Sequence, residues 1–223
     1  MQSYWESETL RHFDLIVVGG GIVGLSTALF YAESHPNSSI AIMERGLFPE
    51  GASTKNAGFA CFGSIAELKH DVQSMGAERT IELVQKRFSG LRLLRRTLGD
   101  QAIDYREVGG YELCFEAPDL ELINFFNNLL EPTLGMRPYS VVANNDFGFS
   151  GRVKSMIKNA LEGTIDTGKM MRALQRKVGL LGVQTFTQSA VTKIEDKAGG
   201  KTVCVETTSG PVKLLAQQVA LCT

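Results

Sequence analysis

Cysteine and histidine are scarce in this chain of 223 residues, which has 4 cysteines and 3 histidines. No two cysteines have the C-x-x-C spacing and the histidines are scattered, so the pattern argues against a zinc site and against a disulfide framework. We therefore predict no metal ion, and a reducing compartment, the cytoplasm, as the location. The cysteines are Cys61, Cys114, Cys204 and Cys222.

Neither sign of charge predominates, because 23 lysines and arginines face 24 aspartates and glutamates without any block of like charge. This balance argues against the basic surface of a nucleic-acid-binding protein, and it predicts small molecules as partners. Long apolar runs are also missing. None reaches the roughly 18 residues that a membrane helix needs, and residues 1–11 are too polar for the core of a signal peptide. We predict no membrane span.

A glycine-rich turn follows an apolar segment near the N-terminus. Residues 15–18 form an uninterrupted apolar run, which is typical of a strand buried on both faces, and residues 22–32 have helical apolar spacing. Between them stand Gly19, Gly21 and Gly24 in the pattern G-x-G-x-x-G. In this pattern the first glycine permits a tight turn, the second lets the backbone approach a pyrophosphate, and the third lets the helix pack on the strand. The motif predicts a dinucleotide site.

The start of this helix and the end of the next strand predict which dinucleotide is bound. The N–H groups at the helix N-terminus, around Ile22 and Val23, attract an anion without help from a basic side chain. Residues 40–43 predict a second strand, and Glu44 ends it. A carboxylate there accepts hydrogen bonds from ribose hydroxyls and repels a 2′-phosphate. These features leave FAD and NAD open and disfavour NADP.

The loop after Glu44 is unusually rich in small residues. Such residues let a cofactor ring lie against the backbone, and hydroxyl and amide side chains can bond phosphate, ribitol or ring heteroatoms. The small residues are Gly51, Ala52, Ser53, Ala57 and Gly58, and the polar ones are Ser53, Thr54 and Asn56.

The remaining pattern predicts both helices and strands. Helices are expected within residues 65–98 and at 120–130, 153–161 and 167–181, and strands within 104–115, 138–142, 183–186, 189–195, 202–207, 211–217 and 219–221. The strands from 183 to 217 predict a β-meander. Pro132 should end the helix predicted at 120–130.

These elements together predict an α/β fold. Residues 1–85 and 160–223 should form a Rossmann-like nucleotide-binding domain, with a parallel sheet and the β-meander, and residues 86–159 part of an inserted α+β substrate domain. The last predicted strand stops where a βα turn should begin. Since ligands bind beyond that edge of such sheets, we predict that the chain is C-terminally truncated.

Three stretches of the sequence resemble the FAD-dependent oxidoreductases of the D-amino-acid oxidase, glycine oxidase and sarcosine oxidase family. They are residues 14–24 with 43–45, residues 51–59, and residues 162–166 through 191–195. In addition, Ser3, Tyr4, Trp5 and Glu6 are similar to the opening of members that oxidise amines and N-substituted amino acids.

The resemblance implies FAD as the cofactor and oxidation of the C–N bond of an amine or amino acid by hydride transfer to the flavin. It implies that residues 51–59 run beneath the flavin and that the backbone at Val191 meets the adenine. Cys222 and Thr223 would lie near the pyrophosphate if the last strand is parallel and central. The predicted cofactor-binding residues are Gly19, Gly21, Ile22, Val23, Gly24, Glu44, Arg45, Ser53, Thr54, Asn56, Ala57, Gly58, Val191, Cys222 and Thr223.

No catalytic residue is predicted, because the family's substrate-binding residues come in part from sequence beyond this chain. Two other interpretations stay open at this point. The chain could be a Rossmann-type NAD-dependent dehydrogenase, or a non-catalytic nucleotide-binding subunit that a partner chain completes.

Overall fold

The structure is a computed structural model, and it describes residues 4–5, 10–142, 147–149 and 151–223. Ser3 and Glu6, which belong to the resemblance at the N-terminus, lie outside the described residues. The described helices and strands are β1 (His12–Val18), α1 (Ile22–Ser34), β2 (Ile40–Met43), β3 (Phe59–Ala60), α2 (Ile65–Met75), α3 (Ala77–Leu98), α4 (Asp100–Ile103), β4 (Gly110–Cys114), α5 (Leu120–Leu134), β5 (Tyr139–Val142), β6 (Ser155–Asn159), β7 (Gly163–Thr164), α6 (Thr167–Leu180), β8 (Gln184–Phe186), β9 (Ala190–Lys197), β10 (Gly200–Thr207) and β11 (Gly210–Leu221).

The chain divides into two compact units. The first contains Met1–Asn56 and Thr167–Thr223, and the second contains Ala57–Asp166. The functional domain boundaries predicted from the sequence, after residues 85 and 159, stay a prediction. Within the described residues, no helix is both long enough and apolar enough to cross a membrane.

The first unit is built on a six-stranded sheet in the order β8-β2-β1-β11-β10-β9. The four strands from β8 to β11 are parallel, and β11, β10 and β9 are antiparallel. This confirms the predicted α/β fold with a parallel sheet and a meander. Two details of the prediction were wrong: β8 pairs with β2 rather than with the meander, and residues 210–221 form one continuous strand instead of two.

Both faces of this sheet are covered. On one face the buried side of α1, including Leu25 and Leu29, and the buried side of α6, including Leu174, supply the apolar layer. The other apolar cluster joins β1 and β2 to the meander through residues such as Phe13 and Val203. Each fully buried aliphatic side chain contributes about 1.5–3 kcal/mol. This burial explains why β1 has an uninterrupted apolar sequence.

The second unit contains an antiparallel sheet in the order β4-β6-β5 and the short strand pair β3-β7. Helices α2, α3 and α5 contribute Leu68, Val84 and Phe126 to its apolar core, which also includes Ile157 of β6. The helix predicted at 153–161 was wrong, because Ser155–Asn159 within this range form the central strand β6. A short apolar run without clear alternation does not distinguish a buried strand from a buried helix.

Helix α5 also differs from its prediction at its C-terminal end. It continues to Leu134 and contains Pro132 in its last turn. The helix ends at Gly135, which has the left-handed φ of +79°. A proline close to the C-terminus removes only one late hydrogen bond, and here the helix ends at the glycine.

Candidate functional site

The glycine turn at the end of β1 has room for backbone only. Gly19 has a φ of +107°, and a Cβ there would lie 2.5 Å from the carbonyl oxygen of Cys222. A Cβ on Gly24 would collide with the carbonyl oxygen of Gly19 and lie 3.2 Å from Val17 Cγ1. The first glycine thus permits the turn, and the last permits close packing of α1 on β1.

Helix α1 presents its N-terminus at this turn. Gly21 is the N-cap and has no side chain, and the first turn of the helix contains no acidic residue. The N–H of Ile22 donates to Ser53 Oγ over 2.9 Å, and Val23 is exposed. A helix N-terminus without an acidic cap carries partial positive charge. It is therefore suited to bind a phosphate group.

Glu44 has an unusual environment for a carboxylate, because only 8% of the residue is exposed. Its Oε2 accepts the N–H of Gly20 over 2.9 Å, and its Oε1 accepts the N–H of Gly46 over 2.8 Å. A carboxylate has about four acceptor positions, so two remain for other donors. The side chain connects the glycine turn with the loop after β2 and can still accept ribose hydroxyls.

The main chain around Glu44 is fixed from β8. The N–H of Glu44 donates to the carbonyl of Phe186 over 2.8 Å, and the N–H of Ser189 donates to the carbonyl of Glu44 over 2.9 Å. These partners of Glu44 were not predicted from the sequence, and neither were Gly20 and Gly46. The run of three glycines at 19–21 was a signal for Gly20, whereas nothing in the sequence indicates Phe186 or Ser189.

The polar residues of the 51–56 loop partly hold the loop itself. Thr54 Oγ1 donates to the carbonyl of Pro49 over 2.8 Å, and Asn56 Nδ2 donates to the carbonyl of Ala52 over 3.0 Å. Ser53 is the member that reaches α1. Arg45, next to Glu44, is exposed.

Ala57 and Gly58 belong to the second compact unit. Ala57 is exposed and Gly58 is buried. Gly58 has a φ of +75°, and its carbonyl accepts the N–H of Ile165 over 2.8 Å. This part of the small-residue loop is therefore fixed within its own unit by main-chain bonds.

The end of β11 lies beside the glycine turn. Strand β11 is parallel to β1, with Val18 opposite Leu221, and the N–H of Cys222 donates to the carbonyl of Val18 over 2.9 Å. Cys222 Sγ lies 3.7 Å from Thr27 Oγ1 on α1. Strand β11 is thus parallel to β1 and central in the sheet. This was the condition on which Cys222 and Thr223 were predicted to lie near the pyrophosphate, and their contact with it stays a prediction.

Val191 lies farther from the glycine turn, in the edge strand β9 of the sheet. It is in β9, where it pairs with Val205, and its side chain packs against the cluster between the sheet and the meander. Its connection to Glu44 runs through Ser189, two residues earlier in the chain. The structure thus brings Gly19, Gly21, Gly24, Ile22, Glu44, Ser53 and Cys222 together in the first unit.

Comparison with protein families identifies the class. Residues 14–223 match the sequence model of the family described as FAD dependent oxidoreductase, DAO, and the chain belongs to this family. The predicted resemblance is confirmed. Because the family is FAD-dependent, FAD rather than NAD is the cofactor. No protein in the curated set matches the chain.

Solved structures share the fold. The chain is similar to glycine oxidase from Bacillus cereus ATCC 14579 (21% identity, TM-score 0.64, 94% of this chain and 55% of that chain). It is also similar to L-amino acid deaminase from Proteus vulgaris (21%, 0.67, 95% and 47%) and L-proline dehydrogenase from P. horikoshii (14%, 0.66, 96% and 53%). At these identities the likeness shows the fold. The chain spans about half the length of these structures.

Proposed function

We propose that this chain forms the FAD-binding portion, and part of the substrate domain, of an oxidoreductase that oxidises the C–N bond of an amine or amino acid. The observation that carries the proposal is the arrangement around Glu44. A buried carboxylate, a glycine turn and an uncapped helix N-terminus meet at the C-terminal end of β1. These are the groups that the ribose and pyrophosphate of an adenine dinucleotide require.

Each predicted residue has a proposed part in holding FAD. The N–H groups of Val23 and Gly24 bind the pyrophosphate, with Gly19 and Gly21 providing the turn, and Ile22, whose N–H donates to Ser53 Oγ, holds the start of the helix to the 51–56 loop beside the phosphates. Glu44 accepts the ribose hydroxyls. By the family resemblance, Arg45 and the backbone of Val191 lie at the adenosine end. Cys222 and Thr223 lie at the pyrophosphate. The residues of the small-residue loop lie along the ribitol and the flavin, and they are Ser53, Thr54, Asn56, Ala57 and Gly58.

The substrate class is proposed from the family and from the names of similar structures. When bound, flavin supplies the acceptor for a hydride equivalent from the carbon next to the substrate nitrogen. The task of the chain is to hold the cofactor in a fixed place, so that the substrate carbon can meet it. The similar structures named above are named for glycine, for L-amino acids and for L-proline. A small amine or amino acid is therefore the proposed substrate.

The substrate pocket is proposed to need sequence beyond these 223 residues. The chain covers 55% of the glycine oxidase structure and 47% of the deaminase structure. The remaining pocket residues would come from further polypeptide or from a partner chain. The same coverage favours a second candidate, a nucleotide-binding subunit that turns over only with its partner. A cytoplasmic location stays a prediction.

The decisive experiment is a titration of the purified chain with FAD, followed by visible absorption and flavin fluorescence. We expect saturable binding with a perturbed flavin spectrum. Anaerobic addition of primary and N-substituted amino acids to the loaded protein should then bleach the flavin if the pocket is complete. A chain that binds no FAD would refute the proposal.

A parallel measurement distinguishes the enzyme from the subunit. Light scattering gives the mass of the particle, and activity is assayed for the chain alone and for the chain with any co-purifying polypeptide. FAD binding without bleaching by any substrate, with bleaching restored by that polypeptide, would support the subunit. Bleaching by a monomer of the chain alone would dismiss it.

A further inference from the structure

Residues 162–165 of the second unit lie between two other segments of that unit. On one side, Arg106 and Thr164 exchange two main-chain hydrogen bonds of 3.0 Å, and the N–H of Gly109 donates to the carbonyl of Glu162 over 2.9 Å. On the other side, β7 pairs with β3, and the N–H of Ile165 donates to the carbonyl of Gly58. Residues 162–165 therefore align the segment that begins at Gly58.

The side chain of Glu162 continues this alignment beyond β3. Its Oε1 accepts the N–H of Phe62 over 2.9 Å and the N–H of Gly63 over 3.3 Å. The carbonyl groups of the same two residues are also bonded, since Tyr139 Oη donates to the carbonyl of Gly63 over 2.6 Å and Arg87 Nη1 donates to that of Phe62 over 3.3 Å. The main chain at 62–63 is thus held from both sides.

Gly110 leaves the space that the Glu162 carboxylate occupies. A Cβ on Gly110 would collide with Glu162 Oε2, and Gly109 has a φ of +81°, where a Cβ would lie 2.7 Å from the side chain of Lys158. The carboxylate therefore explains the glycine at residue 110, and the positive φ and the nearby Lys158 explain the glycine at residue 109. Any side chain at residue 110 would displace it.

Burial of this carboxylate is costly. Only 7% of Glu162 is exposed, and a buried charge needs hydrogen bonds to offset its lost hydration. An apolar side chain would fill the same space without that cost, but it could not accept the N–H groups of residues 62 and 63. A carboxylate oxygen accepts both N–H groups here, and the oxygen of a neutral amide would hold the main chain less strongly, because hydrogen bonds to an ionised acceptor are the stronger ones.

We propose that Glu162 is a positioning residue that fixes residues 57–63, a segment whose first members, Ala57 and Gly58, the proposed function sets along the ribitol and the flavin. The inference rests on the proposed function for its flavin contact, whereas the alignment itself stands on the hydrogen bonds within the second unit. Glu162 acts through the backbone from Gly58 to Gly63. Its loss should change the geometry of this segment without unfolding the unit.

The test compares Glu162→Gln with Glu112→Gln. Glu112 is a matched control because its carboxylate also accepts two backbone N–H groups, from Ile65 and Ala66 at 2.9 and 3.3 Å, but at the start of α2. Hydrogen exchange of the FAD-free chain is the first measurement. We expect E162Q to increase exchange of residues 58–63 about tenfold, which corresponds to about 1.4 kcal/mol, and E112Q to affect only residues 65 and 66.

The second measurement is the visible circular dichroism of bound FAD, which reports the surroundings of the flavin ring. We expect E162Q to change this spectrum and E112Q to leave it as in the wild type. Unchanged exchange at 58–63 in E162Q would overturn the alignment by Glu162. Increased exchange with an unchanged flavin spectrum would overturn its role toward the flavin. A wild-type chain that binds no FAD would refute the proposed function, while the exchange data would still decide the alignment.

Gly110→Ala provides a second variant, in case E162Q does not fold. Its added methyl group displaces the carboxylate of Glu162 without removing the charge. We expect the same increase in exchange at 58–63. An exchange pattern identical to that of the wild type in G110A would also overturn the proposal.

Discussion

The carboxylate of Glu44 accepts the N–H of Gly20 over 2.9 Å, so that the end of β2 holds the turn at the end of β1. Its other oxygen holds Gly46. A glutamine in this place keeps one acceptor oxygen and turns an amide donor toward the second N–H group. Replacement therefore affects both the turn and the acceptor that we assign to the ribose.

For Glu44→Gln we expect a loss of about 2 kcal/mol in FAD binding, because hydrogen bonds to a charged acceptor contribute about 1.5–3 kcal/mol each. This corresponds to a roughly thirtyfold higher Kd in a fluorescence titration. Glu33→Gln on the exposed surface of α1 is the control and should bind as the wild type does. Equal affinities for E44Q and E33Q would remove Glu44 from the site.

Gly24→Ala should destabilise the protein by about 2–3 kcal/mol, because the added methyl group collides with the carbonyl oxygen of Gly19 in a packed interface. The control is Gly90→Ala in α3, where a Cβ meets no atom within 4 Å. Alanine favours helix over glycine, so G90A should be more stable by up to about 1 kcal/mol. Urea denaturation measures both changes. Opposite signs are expected, and equal effects would contradict the packing role of Gly24.

The stability of the chain should fall as the pH rises through the titration of Glu162. Burial is the main cause that raises the pKa of this carboxyl above its usual 4.5, against the hydrogen bonds from Phe62 and Gly63. The folded state then holds its proton at pH values where the unfolded state has lost it, so stability decreases with pH in the window above 4.5.

Glu162→Gln removes this titration. We therefore expect the unfolding temperature of E162Q to depend less on pH than that of the wild type. The two slopes should differ least below pH 4.5, where Glu162 of the wild type is protonated in both the folded and the unfolded state. Thermal scans by circular dichroism from about pH 4 to 8 give the two curves. Parallel curves through this range would show that the pKa of Glu162 is not raised.

The thiol of Cys61 should react slowly at neutral pH, because the residue is exposed but its sulfur is partly desolvated by its surroundings. Burial, followed by the negative charges of Glu162 and Glu67, raises its pKa, whereas Arg87 lowers it. Glu67→Gln removes one negative charge and releases Arg87 from its 2.8 Å ion pair. Because the thiolate is the reactive form, alkylation of Cys61 should become severalfold faster in E67Q.

Peptide mass spectrometry after timed iodoacetamide labelling measures this rate for Cys61 separately from the other cysteines. Glu121→Gln, an exposed substitution in the first turn of α5, serves as the control. Labelling of Cys61 at the same rate in E67Q and E121Q would show that the local charges do not govern its reactivity.

The glycine turn could be predicted from the sequence because its requirements are local. A buried parallel strand needs an apolar run, the turn needs glycine at Gly19, and close packing needs glycine at Gly24. The structure agrees, because a Cβ added at either of these two glycines would collide with a carbonyl oxygen. The position of Glu44 at the strand end follows from the same short unit.

Other features depend on distant contacts and had no local signal. Residues 153–161 were predicted to be helical because a short apolar run fits either structure, and the pairing of β6 with β4 and β5 decides for a strand. Gln218 falls between the strands predicted at 211–217 and 219–221, but it is an exposed residue within the continuous β11. The main-chain hydrogen bonds of Glu44 with Phe186 and Ser189 require the pairing of β8 with β2, and no motif in the sequence indicates this pairing.

The parallel pairing of β1 with β11 also determines when the nucleotide turn can form. His12 lies opposite Leu215 and Val18 opposite Leu221, so β1 gains its second neighbour only after residue 221 has been synthesised. Pairings of such long sequence separation form slowly, whereas the sheet of β4, β5 and β6 closes within residues 110–159. We expect the second unit to condense first during translation. Gly19 then acquires its neighbour Cys222 after the second unit has formed, and cofactor capture becomes a later step in maturation than the folding of that unit.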